Sequence, residues 1–243
     1  MKRYYSPSLD RGLLDAEQSH HCAQVMRQAV GDLFAVFDGH GLEAKARITE
    51  IARDQVKFQI LAKATSPRPV HPVWLAQALT KPKSMDMILE KATELGVSEL
   101  APLRSDHSVV QMDEEKIEAR VEKWQKLTIE AAKQCGQNWL PVIHPPRAPK
   151  DFVAEVPRGA LKLIASLQNE ARPLKTALRE QLQGLKSGTP IVVMIGPEGD
   201  FTPAEIGQAR SAGFIPVSLG KIILRAETAA FFALSAIAYE LME

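Results

Sequence analysis

Between residues 33 and 61 the chain contains three short apolar runs of the kind that β-strands show. The runs at 44–51 and 55–61 roughly alternate apolar and polar residues, and a run at 33–38 precedes them. A helical segment is expected at about 17–30, and Asp38-Gly39-His40-Gly41 is a turn signal. The pattern predicts a small β-rich domain in the first part of the chain.

A proline-rich segment follows, with three prolines in residues 65–72. Proline resists both helices and central strands, so we expect an interdomain linker here, with domains at 1–70 and 73–243. After Val73, strand-like runs alternate with helical runs, which predicts an α/β domain with a largely parallel sheet. The expected strands are residues 73–79, 99–103, 161–167, 191–195 and 215–219.

Apolar spacing predicts helices in this second domain. The helix at 83–95 repeats apolar residues at i, i+3, i+4 and i+7, and Gly96 lies where a helix C-terminus favours glycine. A longer helix is expected at 114–135. The final helix, at 226–242, is apolar almost all round, so it must be buried on several sides. A second subunit would provide that burial, and a central core helix in a monomer is the alternative.

The most informative segment is the strand at 191–195 and the glycine-flanked turn that follows it. Thr202, Pro203 and Glu205 are placed as N-cap, first and third helical residues, so Thr202 and Glu205 are expected to form a capping box. Ligands of open α/β sheets bind beyond the carboxyl ends of strands, where such turns offer backbone groups. The alternative is a tight strand-to-helix turn that binds nothing.

A second informative segment runs from residue 217 to residue 230. A strand ends at Leu219, the chain turns at Gly220, and the apolar helix begins near residue 226. Arg225, Glu227 and Thr228 are the only polar side chains at the start of this helix, and charged residues are seldom placed there for packing. The alternative is a surface ion pair between Arg225 and Glu227.

Composition excludes several classes of protein. The 243 residues are 45% hydrophobic and 24% charged, as in ordinary globular proteins, and no run approaches the length of a membrane span. We therefore expect a cytoplasmic protein without a membrane span or secretory signal.

The two cysteines lack C-x-x-C spacing, and His20 and His21 point apart on a helix, so no metal site is predicted. Dinucleotide, phosphate-loop, H-E-x-x-H and G-x-S-x-G motifs are absent from the sequence.

Net charge gives little guidance about partners. The 30 lysines and arginines against 29 aspartates and glutamates leave a net charge of +1. An RNA partner would therefore have to be recognised through a local basic face or through shape.

Six motifs occur in order along the chain. They are Arg3-Tyr4-Tyr5, residues 21–27 ending in Val25-Met26-Arg27, residues 83–97 beginning with Lys83-Ser84-Met85, residues 130–136, Gly196-Pro197-Glu198-Gly199 and residues 219–229. With these motifs the chain resembles the SPOUT superfamily of S-adenosylmethionine-dependent RNA methyltransferases, and most closely its RsmE family. One departure is Asp200, where that family commonly has a second glycine.

The resemblance implies a fold that the spacing of residues does not reveal. It implies a small N-terminal PUA-like β-barrel domain followed by an α/β SPOUT domain whose C-terminal part forms a trefoil knot. It also implies a homodimer in which S-adenosylmethionine lies in the knot against the partner subunit. The cofactor positions carried over are Leu167, Gly196, Pro197, Glu198, Gly199, Leu219, Gly220, Ile223, Leu224 and Thr228.

The activity implied by the resemblance is methylation of N3 of a uridine in small-subunit (16S) ribosomal RNA. The expected substrate is this RNA in the assembled 30S subunit, with the free RNA as the alternative. The N3 proton must be removed while negative charge on the ring is stabilised. Arg225 is the candidate for that stabilisation, and Glu198 or Glu227 for taking the proton. Arg3, Arg27, Lys81 and Lys83 are candidate phosphate contacts, with ordinary surface solvation as the alternative.

Two other functions remain open from the sequence. A SPOUT methyltransferase acting on a tRNA ribose 2′-hydroxyl or on another base would share the fold. A ribosome-assembly protein that binds RNA but no longer binds the cofactor would not be an enzyme.

Overall fold

The computed structural model describes residues 1–53, 55–108, 110 and 113–242. The chain divides into two compact units. The N-terminal unit comprises Met1–Arg68 and Ile129–Leu140, and the C-terminal unit comprises Pro69–Thr128 and Pro141–Glu243. Each unit has its own hydrophobic core.

The N-terminal unit is built on a four-stranded sheet in the order β1-β2-β3-β4. The first two strands run parallel, and the other neighbours are antiparallel. Phe34 lies at the centre of its core, with edge-to-face contacts to Tyr4 and Phe58 at centroid distances of 5.3 and 5.5 Å. The strands are β1 (Lys2–Tyr5), β2 (Leu33–Phe37), β3 (Leu42–Ala52) and β4 (Gln55–Thr65).

The helix predicted at 17–30 is shorter than expected. Helix α1 (Ala16–His20) continues as one π-helical turn, His21–Val25. Asp15 caps its start, because the carboxylate accepts a hydrogen bond from the backbone N–H of Gln18 at 2.7 Å. The chain leaves the helical conformation at Arg27, whose φ of 52° is left-handed. The prediction was therefore wrong for residues 26–30.

The C-terminal unit contains a seven-stranded sheet in the order β7-β6-β5-β10-β8-β11-β9, in which neighbouring strands run parallel. All five strands predicted in this part of the chain are present. Two strands of two residues each extend the edges. The strands are β5 (Val73–Ala78), β6 (Glu99–Leu103), β7 (Val142–Ile143), β8 (Leu161–Ala165), β9 (Arg172–Pro173), β10 (Ile191–Ile195) and β11 (Ile215–Ser218).

Helices cover both faces of this sheet, which explains why the central strand Ile191–Ile195 is apolar throughout and fully buried. Apolar residues of α2, α3, α5 and α7 form one core cluster, and those of α4 and α6 form the other. The helices are α2 (Pro82–Glu94), α3 (Ile117–Cys135, after a 3-10 turn at Glu114–Lys116), α4 (Pro149–Glu155), α5 (Leu174–Leu182), α6 (Pro203–Ser211) and α7 (Ala226–Leu241).

Helix α7 is not the central core helix that the monomer alternative requires. One face, including Ala230, Ala233 and Ile237, is buried against the sheet and its neighbours. The opposite face is open: Phe232 is 49% exposed and Tyr239 is 73% exposed. In the isolated chain this apolar helix is therefore buried on one side only. Within the described residues, no helix is long and apolar enough to cross a membrane.

Candidate active site

A cavity of about 380 Å³ opens at the carboxyl ends of β8, β10 and β11, three adjacent strands of the parallel sheet. This volume falls within the range of about 300–1,000 Å³ that is usual for small-molecule sites. Three loops form the walls: the loop after β8, the glycine-flanked turn after β10, and the loop between β11 and α7. The start of α7 closes the cavity through Ala226 and Ala229.

The turn after β10 is held at both ends. At its start, a Cβ on Gly196 would lie 3.2 Å from the backbone nitrogen of Phe201, tighter than nine in ten real Cβ contacts, so any larger residue would require this turn to shift. At its end, the predicted capping box is confirmed: Thr202 Oγ1 accepts from the N–H of Glu205 at 3.2 Å, and Glu205 Oε2 accepts from the N–H of Thr202 at 2.8 Å. The start of α6 is therefore fixed beside the cavity.

The loop after β11 brings an apolar rim to the cavity. Gly220 has a φ of +137°, a conformation that residues with a side chain rarely adopt. Ile222 and Ile223 are each 75% exposed, and Leu224 is half-buried. Aliphatic side chains in this position are suited to contact a flat, largely apolar group such as a nucleobase.

Two of the three predicted catalytic side chains, Arg225 and Glu227, lie at the start of α7, and the third, Glu198, lies on the turn after β10. Arg225 is the N-cap residue and is exposed, Glu227 is half-buried, and Thr228 is exposed. Within the described part of the chain no carboxylate lies within ion-pair distance of Arg225, so the alternative of an Arg225–Glu227 surface pair is not observed. The guanidinium therefore remains available beside the cavity.

Most of the predicted cofactor positions converge on this cavity, and a few do not. Gly199 and Thr228 are not among its lining residues, and neither are Arg225 and Glu227. The predicted positions that do line it are Leu167, Gly196, Pro197, Glu198, Leu219, Gly220, Ile223 and Leu224.

Several lining residues were not proposed as site residues from the sequence. They lie in the loop after β8, as Gln168 and Asn169 do, or at the rim, as Lys221 does. Asp200 also lines the cavity. The loop after β8 carries no glycine-rich or capping signal, so its part in the site depends on which strands are neighbours in the sheet.

The cavity suits S-adenosylmethionine, which carries a purine, a ribose and a cationic amino-acid part. The aliphatic rim suits the purine, and the backbone of the glycine turns can hydrogen-bond polar groups closely. Glu198 and Asp200 also line the cavity, and their carboxylates would attract the cationic part of this molecule. Among the residues that the structure describes, no cluster of histidine, cysteine or acidic side chains could hold a metal ion.

The four candidate phosphate contacts have different surroundings. Arg27, Lys81 and Lys83 are exposed. Arg3 is engaged inside the N-terminal unit: its guanidinium donates to the carbonyl oxygens of Ala132 and Gln137 and to the side chain of Asn138, and it stacks 4.0 Å from the Phe37 ring. The side chain of Arg3 is only 10% exposed. Its burial and these contacts favour a structural role for Arg3 over phosphate binding.

Family models identify the two parts of the chain. A model described as an RNA methyltransferase domain matches residues 66–238, and one described as an RNA methyltransferase PUA domain matches residues 14–61. The first match spans most of the chain and includes all three loops of the cavity.

Known proteins of similar sequence and structure have consistent names. The chain is 34% identical to the ribosomal RNA small subunit methyltransferase E of Synechocystis sp., over 92% of this chain and 71% of that protein. It is 29% identical to the protein of the same name from Bacillus subtilis, over 93% and 89% of the two chains.

Solved structures give the same result. A ribosomal RNA small subunit methyltransferase E from Neisseria gonorrhoeae bound to S-adenosyl methionine is 30% identical with a TM-score of 0.85, over 98% of this chain and 97% of that one. A Legionella pneumophila protein in complex with the same cofactor is 31% identical with a TM-score of 0.85, over 98% and 96%.

Proposed function

Because this chain belongs to the ribosomal RNA small subunit methyltransferase E family, we propose that it methylates N3 of a uridine in small-subunit (16S) ribosomal RNA. The single observation that carries the proposal is the glycine-lined cavity at the carboxyl ends of β8, β10 and β11. Beside it lies Arg225, which has no acidic partner among the residues that the structure describes. Transfer of a labelled methyl group to uridine N3 in small ribosomal subunits tests it.

S-adenosylmethionine would supply an electrophilic methyl group, and an in-line displacement of this kind needs no covalent enzyme intermediate. The residues proposed to hold it come from all three loops and, in the case of Thr228, from the first turn of α7. They are Leu167, Gly196, Pro197, Glu198, Gly199, Leu219, Gly220, Ile223, Leu224 and Thr228. The side chains of the protein must then orient the uridine and remove the proton from N3.

We assign Arg225 to stabilise negative charge on the uracil ring as N3 loses its proton. A preorganised cation at the place where charge develops lowers the barrier without reorganisation during the reaction. The exposure of Arg225 and its lack of an acidic partner among the described residues support this role. Glu198, exposed on the turn after β10, and Glu227, half-buried in the first turn of α7, are the two candidates for taking the proton.

The uridine must present its pairing edge to the cavity, so the nucleotide has to be unpaired or flipped before reaction.

We propose that the PUA domain helps to bind the RNA and that the substrate is the assembled 30S subunit in the cytoplasm. We also propose the finer architecture that the family resemblance implies, a barrel-like PUA domain and a trefoil knot around the cavity. An experimental structure with the cofactor bound would test both features.

A homodimer is proposed from the open face of α7. Phe232 and Tyr239 lie on this face, and Ile222 and Ile223 of the preceding loop are also exposed. Apolar surface of this kind is typical of an interface with a second subunit. A solution mass of twice 26.8 kDa in sedimentation measurements would support the homodimer, and a monomer at micromolar concentration would contradict it.

Two exposed lysines at the start of α2 are proposed to contact RNA phosphates. Lys81 is the N-cap residue and Lys83 lies in the first turn, which contains no acidic residue. Lysines at this end of a helix are unfavourable for the helix dipole, whereas phosphate is favourable there. Their presence is therefore better explained by an anionic partner than by helix stability.

Replacing both Lys81 and Lys83 with glutamine is expected to weaken RNA binding roughly tenfold at physiological salt, and to reduce the slope of log affinity against log salt by about 1.4. Cofactor affinity and the melting temperature should stay the same. Filter binding across a salt series is the measurement. Lys126→Gln with Lys186→Gln, two exposed lysines that do not lie at the start of a helix, is the matched control. An equal loss in the control pair would mean that only overall charge matters.

A further inference from the structure

Asp200 has an unusual backbone conformation inside the cavity wall. Its φ of +60° is left-handed, and Arg27 is the only other non-glycine residue in the described part of the chain with a positive φ. Aspartate tolerates this conformation better than most residues, but glycine adopts it at lower cost. The aspartate side chain is therefore expected to contribute something that glycine would not.

The carboxylate of Asp200 joins two of the three loops around the cavity. Its Oδ2 accepts a hydrogen bond from the backbone N–H of Leu167 at 2.9 Å, and its Oδ1 accepts from the N–H of Phe201 at 2.8 Å. Leu167 belongs to the loop after β8, and Phe201 follows the turn after β10. The side chain thus fixes the ends of two neighbouring strands relative to each other.

The backbone of the same residue is tied to a third segment. His107 Nδ1, in the segment after β6, lies 3.0 Å from the carbonyl oxygen of Asp200 and 3.3 Å from that of Gly199. Because both partners are acceptors, this ring nitrogen carries the proton. Asp200 is therefore held by its backbone as well as by its side chain, and its carboxylate has little freedom to move.

A fixed carboxylate in this wall has an electrostatic consequence. The charged residues that line the cavity are Glu198, Asp200 and Lys221, and of these Glu198 and Lys221 are exposed while Asp200 is partly buried. S-adenosylmethionine carries a sulfonium cation, whereas the product left after methyl transfer is a neutral thioether. A partly buried carboxylate interacts with such a charge more strongly than an exposed one.

We infer that Asp200 is a positioning residue that fixes the Leu167 loop and makes the cavity prefer the cationic methyl donor over its neutral product. This inference rests on the proposed function. It gives the enzyme a means of releasing its product, because the attraction is lost when the methyl group leaves.

The test is calorimetric titration of the full chain with S-adenosylmethionine and with S-adenosylhomocysteine. Asp200→Asn keeps the size of the side chain, tolerates the left-handed backbone and removes the charge. Its single amide oxygen can still accept from the N–H of Leu167, while the bond from the N–H of Phe201 is lost. We expect its affinity for S-adenosylmethionine to fall about tenfold, while its affinity for S-adenosylhomocysteine changes less than about twofold. Asp200→Gly also removes the link to Leu167, so both affinities should fall, that for the donor more.

Asp151→Asn, an exposed aspartate on α4 away from the cavity, is the matched control and should leave both affinities unchanged. Equal weakening of both ligands in Asp200→Asn, or no change in either, would overturn the inference while leaving the proposed function standing. Wild-type protein that binds neither ligand would overturn both proposals.

Discussion

Replacing Arg225 with alanine is expected to reduce turnover by at least about 100-fold, the lower range for loss of one group that stabilises transition-state charge. The fold should persist, because the side chain is exposed and, among the described residues, has no ion-pair partner to lose. Affinity for the cofactor should change little, since Arg225 does not line the cavity. Single-turnover methyl transfer, together with calorimetry on the same preparation, measures both quantities.

Arg158→Ala provides the control for Arg225, because Arg158 is another exposed arginine of the C-terminal unit and lies outside the cavity wall. It should retain normal turnover. Near-normal turnover of Arg225→Ala would remove Arg225 from the mechanism and transfer the stabilising role to another group.

Gly220→Val is expected to abolish detectable cofactor binding. A valine at φ +137° is strained, at a cost on the order of 1–3 kcal/mol, and its β-branched side chain would occupy space in the cavity wall. A Cβ at this position meets no other atom within 4 Å, so the change should not disrupt the core. Calorimetric titration with S-adenosylmethionine measures the loss of binding.

Gly184→Val separates strain from cavity filling. Gly184 also has a positive φ, +85°, and open surroundings, but it is not a lining residue. We expect a comparable loss of stability in thermal denaturation with unchanged cofactor affinity. If Gly220→Val binds the cofactor as tightly as the wild type, the cavity is not the cofactor site.

Some parts of the fold were predicted accurately because their signals are local or depend strongly on burial. The strands at 99–103 and 191–195 match the structure at both ends. For 191–195 the reason is that a continuous apolar run between turn signals is typical of a strand covered on both faces. The capping box of Thr202 and Glu205 was also predicted, since it depends on residues three apart.

Other parts depend on contacts that the local sequence does not contain. Strands β7 and β9 have two residues each and exist because a neighbouring strand offers hydrogen bonds. The strand expected at 161–167 ends at Ala165, and the backbone N–H of Leu167 instead donates to the carboxylate of Asp200, 33 residues away. This hydrogen bond forms because β8 and β10 are neighbours in the sheet, and no local sequence pattern predicts it.

The candidate site shows the same division. The glycine turns at 196–199 and 219–220 were visible because glycine marks unusual backbone geometry. The link that the Asp200 carboxylate makes between two loops was not predicted, because in the sequence Asp200 is only a departure from a family pattern. Arg3 was proposed as a phosphate contact on its charge, whereas its surroundings use that charge within the N-terminal unit.

The most direct test of the proposed function is methyl transfer from labelled S-adenosylmethionine to small ribosomal subunits from a strain that lacks this gene. Free 16S ribosomal RNA is assayed alongside, the RNA is digested to nucleosides, and the Arg225→Ala protein serves as the low-activity control. We predict that the label is recovered as 3-methyluridine and that assembled subunits are the better substrate. Label in a different nucleoside, or no incorporation despite measured cofactor binding, would contradict the assignment of uridine N3 in this RNA.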